Sequence, residues 1–405
     1  MGLRKHTNLA SYALGNVLKY RTKSIFILLA LVFSTGLLSS VEFLREGVMN
    51  DVTASLDEGP DIIVQKLAGA RQVPVPLDWK ENITATPRVR LATPRVWGYT
   101  DVGNGKLMTI MGVNATEYGG VLDVLGTNII GMGRFLEETD TKKIVIGQGI
   151  VDIMASAYQP VYIDVGSVLG LIASDGETID FEVVGIFQSE SKIYSYDMIL
   201  TDINSARELF GFANDTSCTD FAVWVEHGAL VNDVAFRLDT RIPQSRILTR
   251  DAISDISLKT YGDRAGIIAL LWVVIIMCVV LLAFSVSSAG SEEARREVGL
   301  LKALGFDTVD ILEIRMFESL TLSLLGASLG VSFAIIYDFY LGAPGLAAYL
   351  LGWNLVLLNA GLPLEIAPST IFIVFSVALV PVLVATVIPS WRMAITEPDV
   401  VLRGV

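Results

Sequence analysis

The chain has 405 residues, 52% hydrophobic and 18% charged, and its mean hydropathy is +0.56. That balance points to an integral membrane protein with one sizeable soluble part. The net charge is −13, and residues 46–259 account for all of it with 30 Asp/Glu against 17 Lys/Arg. An acidic soluble part excludes nucleic-acid binding, which needs a basic patch. Cys218 lies in the soluble part and Cys278 in an apolar run, so neither a disulfide framework nor a zinc site is expected. His6 and His227 are far apart, lack a metal spacing and read as surface residues.

Residues 1–23 hold Arg4, Lys5, Lys19, Arg21 and Lys23 and no acidic residue. Leu9, Tyr12, Ala13, Val17 and Tyr20 share one helical face, with Asn8 as a candidate cap, so an interfacial amphipathic helix is predicted. Residues 24–41 carry no charge and suffice for a first span. Basic residues before it and Glu42 after it place the N-terminus in the cytoplasm. A cleaved signal peptide is the alternative, against which stand the long basic region and the length of the apolar stretch.

Residues 42–264 are expected to form the exported domain. Segments 61–66, 106–113, 142–147, 168–174, 180–188 and 220–227 are rich in Val and Ile and read as strands. Segments 150–158, 202–213 and 230–242 have helical apolar spacing. The mixed order predicts an α+β domain of two lobes. Asn82, Asn114 and Asn214 begin formal glycosylation triplets, which arise often by chance.

A second span is expected over 265–290, a third over 318–338 and a fourth over 366–391, where Pro381 and Pro389 act as kinks. Residues 339–365 are uncharged up to Glu365, and 346–362 are just long enough to span. Pro344, Gly345, Gly352, Asn354, Asn359 and Pro363 break them up, so an interfacial or re-entrant hairpin is preferred. The span cores contain no ionisable residue. Instead they contain Ser285, Ser287, Ser288 and Gly290 in the second and Gly326, Ser328 and Gly330 in the third. Small residues favour close helix packing over an open channel, although a pore lined by serines stays open as an alternative.

Between the second and third spans, residues 291–317 are charged and amphipathic. Ala294, Val298, Leu301 and Gly305 recur at helical spacing, widened by Leu300 and Leu304, while Glu293, Arg296, Glu297 and Lys302 fill the other arc. Gly305 suits a helix C-terminus, and Asp307 with Asp310 reads as the N-cap of the next helix. Taken by itself this is either an ordinary wet loop or a short helix held against the root of a span.

The run E-x-x-R-R-E-V-G-L-L-K-A-L-G-F, followed by I-L-x-x-x-x-x-E-S-L and L-G-x-x-L-G, covers about forty residues from Ser291 to Gly330. It resembles the cytoplasmic signature of the FtsX/MacB-type permeases of ABC transporters, a family that includes the macrolide exporter MacB and the lipoprotein-releasing permeases. Ala13, Leu14, Asn16, Leu18 and Arg21 resemble the family's N-terminal segment. Pro389, Arg392, Pro398, Leu402 and Arg403 resemble its C-terminal motif, with Met393 and Ala394 displaced by one residue from the usual pair. The exported part resembles the family's periplasmic domain more loosely.

The resemblance implies a four-helix transmembrane bundle with a large α+β extracytoplasmic domain inserted between spans 1 and 2. It implies a multi-pass cell-membrane protein with both termini, 1–23 and 392–405, in the cytoplasm. Residues Glu293, Arg296, Glu297, Leu300, Leu301, Lys302, Leu304 and Gly305 would be the coupling helix that docks on a separate ATPase subunit. That subunit would bind ATP and Mg, with no cofactor or metal in this chain. Further partners would be a second permease copy, identical or related, membrane lipids and an envelope fusion protein. ATP-driven motion would be passed through the stiff second span to the exported domain, for lipophilic or envelope cargo. The alternative is an FtsX-like regulatory scaffold that activates an envelope enzyme. No phosphate loop and no G-x-S-x-G, H-E-x-x-H or C-x-x-C occurs, so no active site is expected, and residues 1–23 are too few for a fused ATPase domain.

Overall fold

The computed structural model describes all residues except 1, 58, 102–106, 125–129, 156–160, 190, 213–215, 289–291, 352–363 and 396–405. In chain order, helices α1 (Gly2–Lys19) and α2 (Arg21–Asp57) precede strands β1 (Ile62–Ala68), β2 (Arg71–Val73) and β3 (Val75–Pro76). Next come α3 (Trp79–Thr84), β4 (Val89–Asp101), β5 (Leu107–Val113), α4 (Ala115–Val124), β6 (Ile130–Gly133), β7 (Lys143–Gly147) and α5 (Gln148–Ala155). They are followed by β8 (Val168–Ile172), β9 (Thr178–Phe187), α6 (Lys192–Asp197), β10 (Met198–Asp202), α7 (Ile203–Phe210), β11 (Ser217–Cys218) and β12 (Asp220–Val225). The chain continues through α8 (Val231–Arg241), β13 (Ser245–Thr249), α9 (Arg250–Ser288), α10 (Glu292–Ala303), α11 (Thr308–Ile335), α12 (Leu346–Leu351) and α13 (Pro368–Ile395). These elements form two units: a helical one of Met1–Gly47, Gly262–Leu350 and Leu364–Val405, and an α+β one of Val48–Tyr261 with Leu351–Pro363.

The α+β unit is built on one sheet in the order β13-β1-β12-β4-β5-β10-β7-β9-β6, with β2 beside β1 and β8 beside β9. Strand β4 serves both halves. Its first part pairs with β12 as far as Arg95, and its second, from Val96, pairs with β5. Each half has its own core. Ile62, Val64, Ala92, Phe221 and Val223 pack under Val234 and Leu238 of α8, and Met108, Ile110, Ile144, Ile146 and Phe181 pack against Ile150 of α5. Two lobes sharing a strand result, as the mixed sequence order predicts.

All six predicted strands and all three predicted helices are present with ends shifted by a few residues, and residues 106, 156–158 and 213 lie outside the described ones. The Asp202 carboxylate starts α7 by accepting the N–H groups of Asn204 and Ser205 at 3.1 and 2.9 Å. Strands β2, β3, β4, β6, β10, β11 and β13 are additions. In β4, Arg90, Pro94, Arg95 and Gly98 hide the strand pattern. Both cysteines are free thiols, and burial pushes the Cys218 thiol up to about 12, which keeps it unreactive.

Alternation along β12 turns Phe221 and Val223 into the core and Asp220 to the opposite face, directly across from Arg95. The two form a buried bidentate pair, Nε–Oδ1 2.8 Å and Nη2–Oδ2 3.1 Å, and Trp97 Nε1–H donates to Oδ2 at 2.9 Å. In the second lobe, the loop before β7 is closed by Asp140. It accepts from both Arg134 nitrogens at 2.6 and 2.9 Å, from Lys143 Nζ at 2.8 Å and from the Glu137 N–H at 2.9 Å.

The Arg134 guanidinium, followed by Lys143 and the Glu137 N–H, holds the Asp140 carboxyl well below the usual carboxylate range. A depressed folded-state value means the stabilisation is complete above the unfolded value, near pH ~3.9. It is lost as the pH falls through the folded one. Asp140→Asn is therefore expected to lower the urea midpoint at neutral pH and to flatten its decline on acidification. Midpoints measured with and without the substitution across that range check this.

In the helical unit, α2 and α9 are 37 and 39 residues long, and each extends past the predicted span limits at 41 and 265. At 1.5 Å per residue they are roughly 55–58 Å long, against a hydrocarbon core of about 30 Å. Residues 42–57 contain no proline, and Glu42 and Arg45 pair at 2.8 Å one turn apart. At the other end, Thr249 Oγ1 accepts the Ala252 N–H at 3.2 Å and starts α9 at Arg250. Residues 42–57 and 250–264, expected within the exported domain, are thus largely helical parts of α2 and α9.

Among the described residues, three helical stretches, Ser24–Asp57, Thr308–Tyr340 and Pro368–Arg392, are long and apolar enough to cross a membrane. In α9 the apolar stretch among the described residues is the shorter Trp272–Leu281.

Gly326 and Gly330 do favour close packing, and their partner is α2 of the same chain. A Cβ on Gly326 would meet Leu31 Cβ at 2.6 Å, and one on Gly330 would meet Thr35 Oγ1 at 2.0 Å. Ser319 and Thr386 hydroxyls bond at 2.9 Å between α11 and α13. The serines and glycine late in the stretch expected as the second span have no described side-chain placement.

Helix α11 passes into a π-helical turn, Ile336–Tyr340, and Asp338 on that turn is buried and accepts a hydrogen bond from Ser40 Oγ. Asp338 is the last residue of the stretch expected as the third span, beyond its uncharged core, and it is set inward on the wider turn. Of the 339–365 hairpin, α12 is described and 352–363 lie outside the described residues, as does the C-terminal motif beyond Ile395.

Candidate coupling site

Helix α10 is short because its end is strongly specified. Gly305 takes φ +92°, its N–H bonds Lys302 O at 3.0 Å, and the Phe306 N–H bonds Leu301 O at 3.0 Å. This is the left-handed stop that glycine adopts without strain, and Phe306 and Leu301 join the same apolar cluster beside it. Two residues on, Asp307 caps α11, its N–H bonding the Asp310 carboxylate at 3.3 Å.

The inner face of α10 is covered by its own chain. Val298 packs with Ile311 and Ala394, and Leu301 packs with Leu9, Ala13 and Ile314. Two of the expected docking residues are thereby corrected. Leu301 is only 8% exposed. The Glu297 side chain is also 8% exposed and turned toward α1 and α11 instead of a charged rim. Leu300 and Leu304, expected on the same apolar stripe as Leu301, are instead 59% and 69% exposed on the outer face. Lys302 is half-buried and Gly305 exposed, whereas the Glu293 and Arg296 side chains lie outside the described ones.

Around Glu297 lies a polar network that the sequence reading missed. The Tyr12 hydroxyl donates to Glu297 Oε1 at 2.8 Å and the Tyr20 hydroxyl to Oε2 at 3.2 Å. Arg315 Nη2 lies 3.7 Å from Glu297 Oε2, and its Nη1 donates to Glu318 Oε2 at 2.7 Å. Asn16 Nδ2–H donates to Glu318 Oε1 at 2.8 Å. Lys5 pairs with Asp310 at 2.7 Å, and His6 bonds Glu313. Burial, reinforced by the bond to Glu297, pushes the Tyr12 phenol up to about 12, so it remains a donor at any physiological pH.

Helix α1 therefore differs from the predicted interfacial helix. It starts at Gly2, so Asn8 lies inside it, and Leu9 and Ala13 are buried against α10 and α11. The available signal was Arg315 and Glu318, one turn apart where the charges of α11 end. Nothing in the sequence shows which distant tyrosines complete the set.

These features define a class: a membrane protein whose helical unit flanks, in sequence, a two-lobed α+β domain and presents a short amphipathic helix between two apolar ones. The model of the MacB-like periplasmic core domain matches residues 24–241, and that of the FtsX-like permease C-terminal domain matches 269–398. The chain belongs to the FtsX/MacB-type family of ABC transporter permeases. An uncharacterized ABC transporter permease of Methanocaldococcus jannaschii is 24% identical over 421 residues, covering 99% of this chain and 98% of the relative.

Among solved structures, the periplasmic region of MacB from Actinobacillus actinomycetemcomitans is similar at 14% identity and TM-score 0.35, over 51% of this chain and 96% of that one. The extracellular domain of the noncanonic ABC-type transporter YknZ from Gram-positive bacteria is similar at 12% identity and TM-score 0.33, over 46% of this chain and 99% of that one. Membership of the family implies a partner ATPase subunit.

Proposed function

We propose that this permease couples ATP hydrolysis by a separate ATPase subunit to movement of its exported domain, in export or extraction of lipophilic or envelope cargo. The observation that carries this reading is the split of α10: one face packed on its own chain, the other offering Leu300 and Leu304 to a partner. In this reading the ATPase holds ATP and Mg, and the permease pairs with a second copy or a related chain. An envelope fusion protein and membrane lipids complete the assembly. Helix α9 supplies the second of four spans, both termini are cytoplasmic, and the α+β domain lies outside.

Burial of two leucines contributes about 3–6 kcal/mol, or roughly two to four decades of affinity. The double substitution Leu300→Asp with Leu304→Asp is therefore expected to remove the ATPase from the affinity-purified, detergent-solubilised chain. Both positions are exposed, so the helix content and elution of the permease itself should not change. Unchanged co-purification of the ATPase would overturn the docking surface.

A further inference from the structure

From the network around Glu297 we infer that Glu297 is the positioning residue that passes motion of α10 into the first and third spans. The inference rests on the proposed coupling role of α10. Three independent strands of geometry converge on this side chain. Tyr20 sits at the joint between α1 and α2, where its N–H bonds Asn16 O at 3.0 Å and the Ser24 N–H bonds Tyr20 O at 3.1 Å. Its hydroxyl therefore ties Glu297 to the base of α2. Arg315 is on α11 and ties the same carboxylate to the base of the third span. Tyr12 closes the arrangement from α1.

The charges also require an explanation of their own. Glu297, Arg315 and Glu318 have side chains 8%, 16% and 15% exposed, and charges so far from water are costly unless fully bonded. Here each is bonded: both Glu297 oxygens accept a phenol, and both Glu318 oxygens are used, one by Asn16 and one by Arg315. A buried network in which both oxygens of each carboxylate are bonded is stiff and favours one geometry. Apolar packing could hold α10 in place, as Val298 and Leu301 do. It would not fix the helix against sliding along its neighbours, because dispersion contacts are non-directional. The bonds to Glu297 are directional.

The route differs from transmission along α9, the second span. Pulling or pushing α10 loads α2 through Tyr20 and α11 through Arg315. Helix α2 then continues without a break to Asp57, past the predicted end of the first span.

The test uses the full-length permease in nanodiscs, alone and with the ATPase that co-purifies with it. Amide exchange is followed over α10 and over residues 308–318. Tyr12→Phe with Tyr20→Phe keeps both rings and removes both donors, and Glu297→Gln keeps one acceptor and removes the charge. For the permease alone, exchange in α10 should rise about tenfold or more in the double variant and by less in Glu297→Gln. With the ATPase and a non-hydrolysable ATP analogue, the wild type should respond in both segments. The double variant should still bind the ATPase, respond in α10, and lose the response over 308–318. Unchanged exchange in the isolated double variant overturns the inference, as does a response over 308–318 equal to that of the wild type. If no ATPase binds the wild type, the proposed function fails, and the measurement on the permease alone still decides whether Glu297 is held as described.

Discussion

Gly330→Leu is expected to prevent the helical unit from assembling. At this position α2 and α11 approach so closely that even a Cβ would lie 2.0 Å from Thr35 Oγ1 and 2.9 Å from the Gly36 nitrogen. The obstruction cannot swing away freely, because Thr35 Oγ1 donates to Leu31 O at 2.7 Å and lies 3.3 Å from Gly326 O. The reverse contact is equally tight, since a Cβ on Gly36 would meet Phe333 at 2.9 Å and Gly330 O at 3.2 Å. Overpacking of an ordinary core costs about 1–3 kcal/mol, and here backbone atoms would have to move, so about 3 kcal/mol or more is expected. Gly15→Ala on α1 is the control. Nothing lies within 4 Å of that Cβ, and replacing a helical glycine should stabilise by up to about 1 kcal/mol. Thermal unfolding of the two variants in detergent, followed by helical circular dichroism, should move in opposite directions. Equal stability of Gly330→Leu and the wild type would mean that the two helices are not in contact there.

The second large effect is expected in the α+β unit from Asp220→Ala. Its loss leaves the Arg95 guanidinium buried without its carboxylate and takes the acceptor from Trp97 Nε1 as well. Removing one member of a buried pair costs about 3–5 kcal/mol, much of it the penalty of the stranded charge. Arg95→Leu combined with Asp220→Leu strands no charge, although the Trp97 Nε1–H still loses its acceptor, and should cost less than the single change. The comparison is made on the full chain, with tryptophan fluorescence reporting the unit through Trp97 and Trp224. Because Arg95 is the last residue of β4 paired with β12, and Val96 the first paired with β5, the variant should loosen the junction of the two lobes. A double variant as unstable as Asp220→Ala would show that the pair stabilises through its attraction and that stranding is secondary.

Membrane class, family, the order of apolar runs and six strands of the α+β domain follow from the sequence alone. They depend on signals local in the chain: uninterrupted apolar length, period-two Val/Ile runs such as 220–227, the left-handed stop at Gly305, and the forty-residue motif around it. Periodicity put Leu300 and Leu304 on one apolar stripe with Leu301, and the structure divides that stripe, burying Leu301 and leaving the other two exposed. Periodicity could not say which side of α10 faces a partner and which faces its own chain. That depended on α1 folding back, so that Leu9 and Ala13 cover Leu301 and two phenols reach Glu297 from nearly three hundred residues away. Tertiary structure also decided the partner of Gly326 and Gly330, because a small residue permits a close approach without naming the helix that makes it. It placed Asp338 inside by a π-helical turn, which leaves no mark in an apolar pattern. It made β4 a strand despite Pro94 and two arginines, because Asp220 lay across the sheet to receive Arg95. Long-range pairing of this kind is set by what lies opposite in space, and the neighbouring residues in the chain carry no record of it.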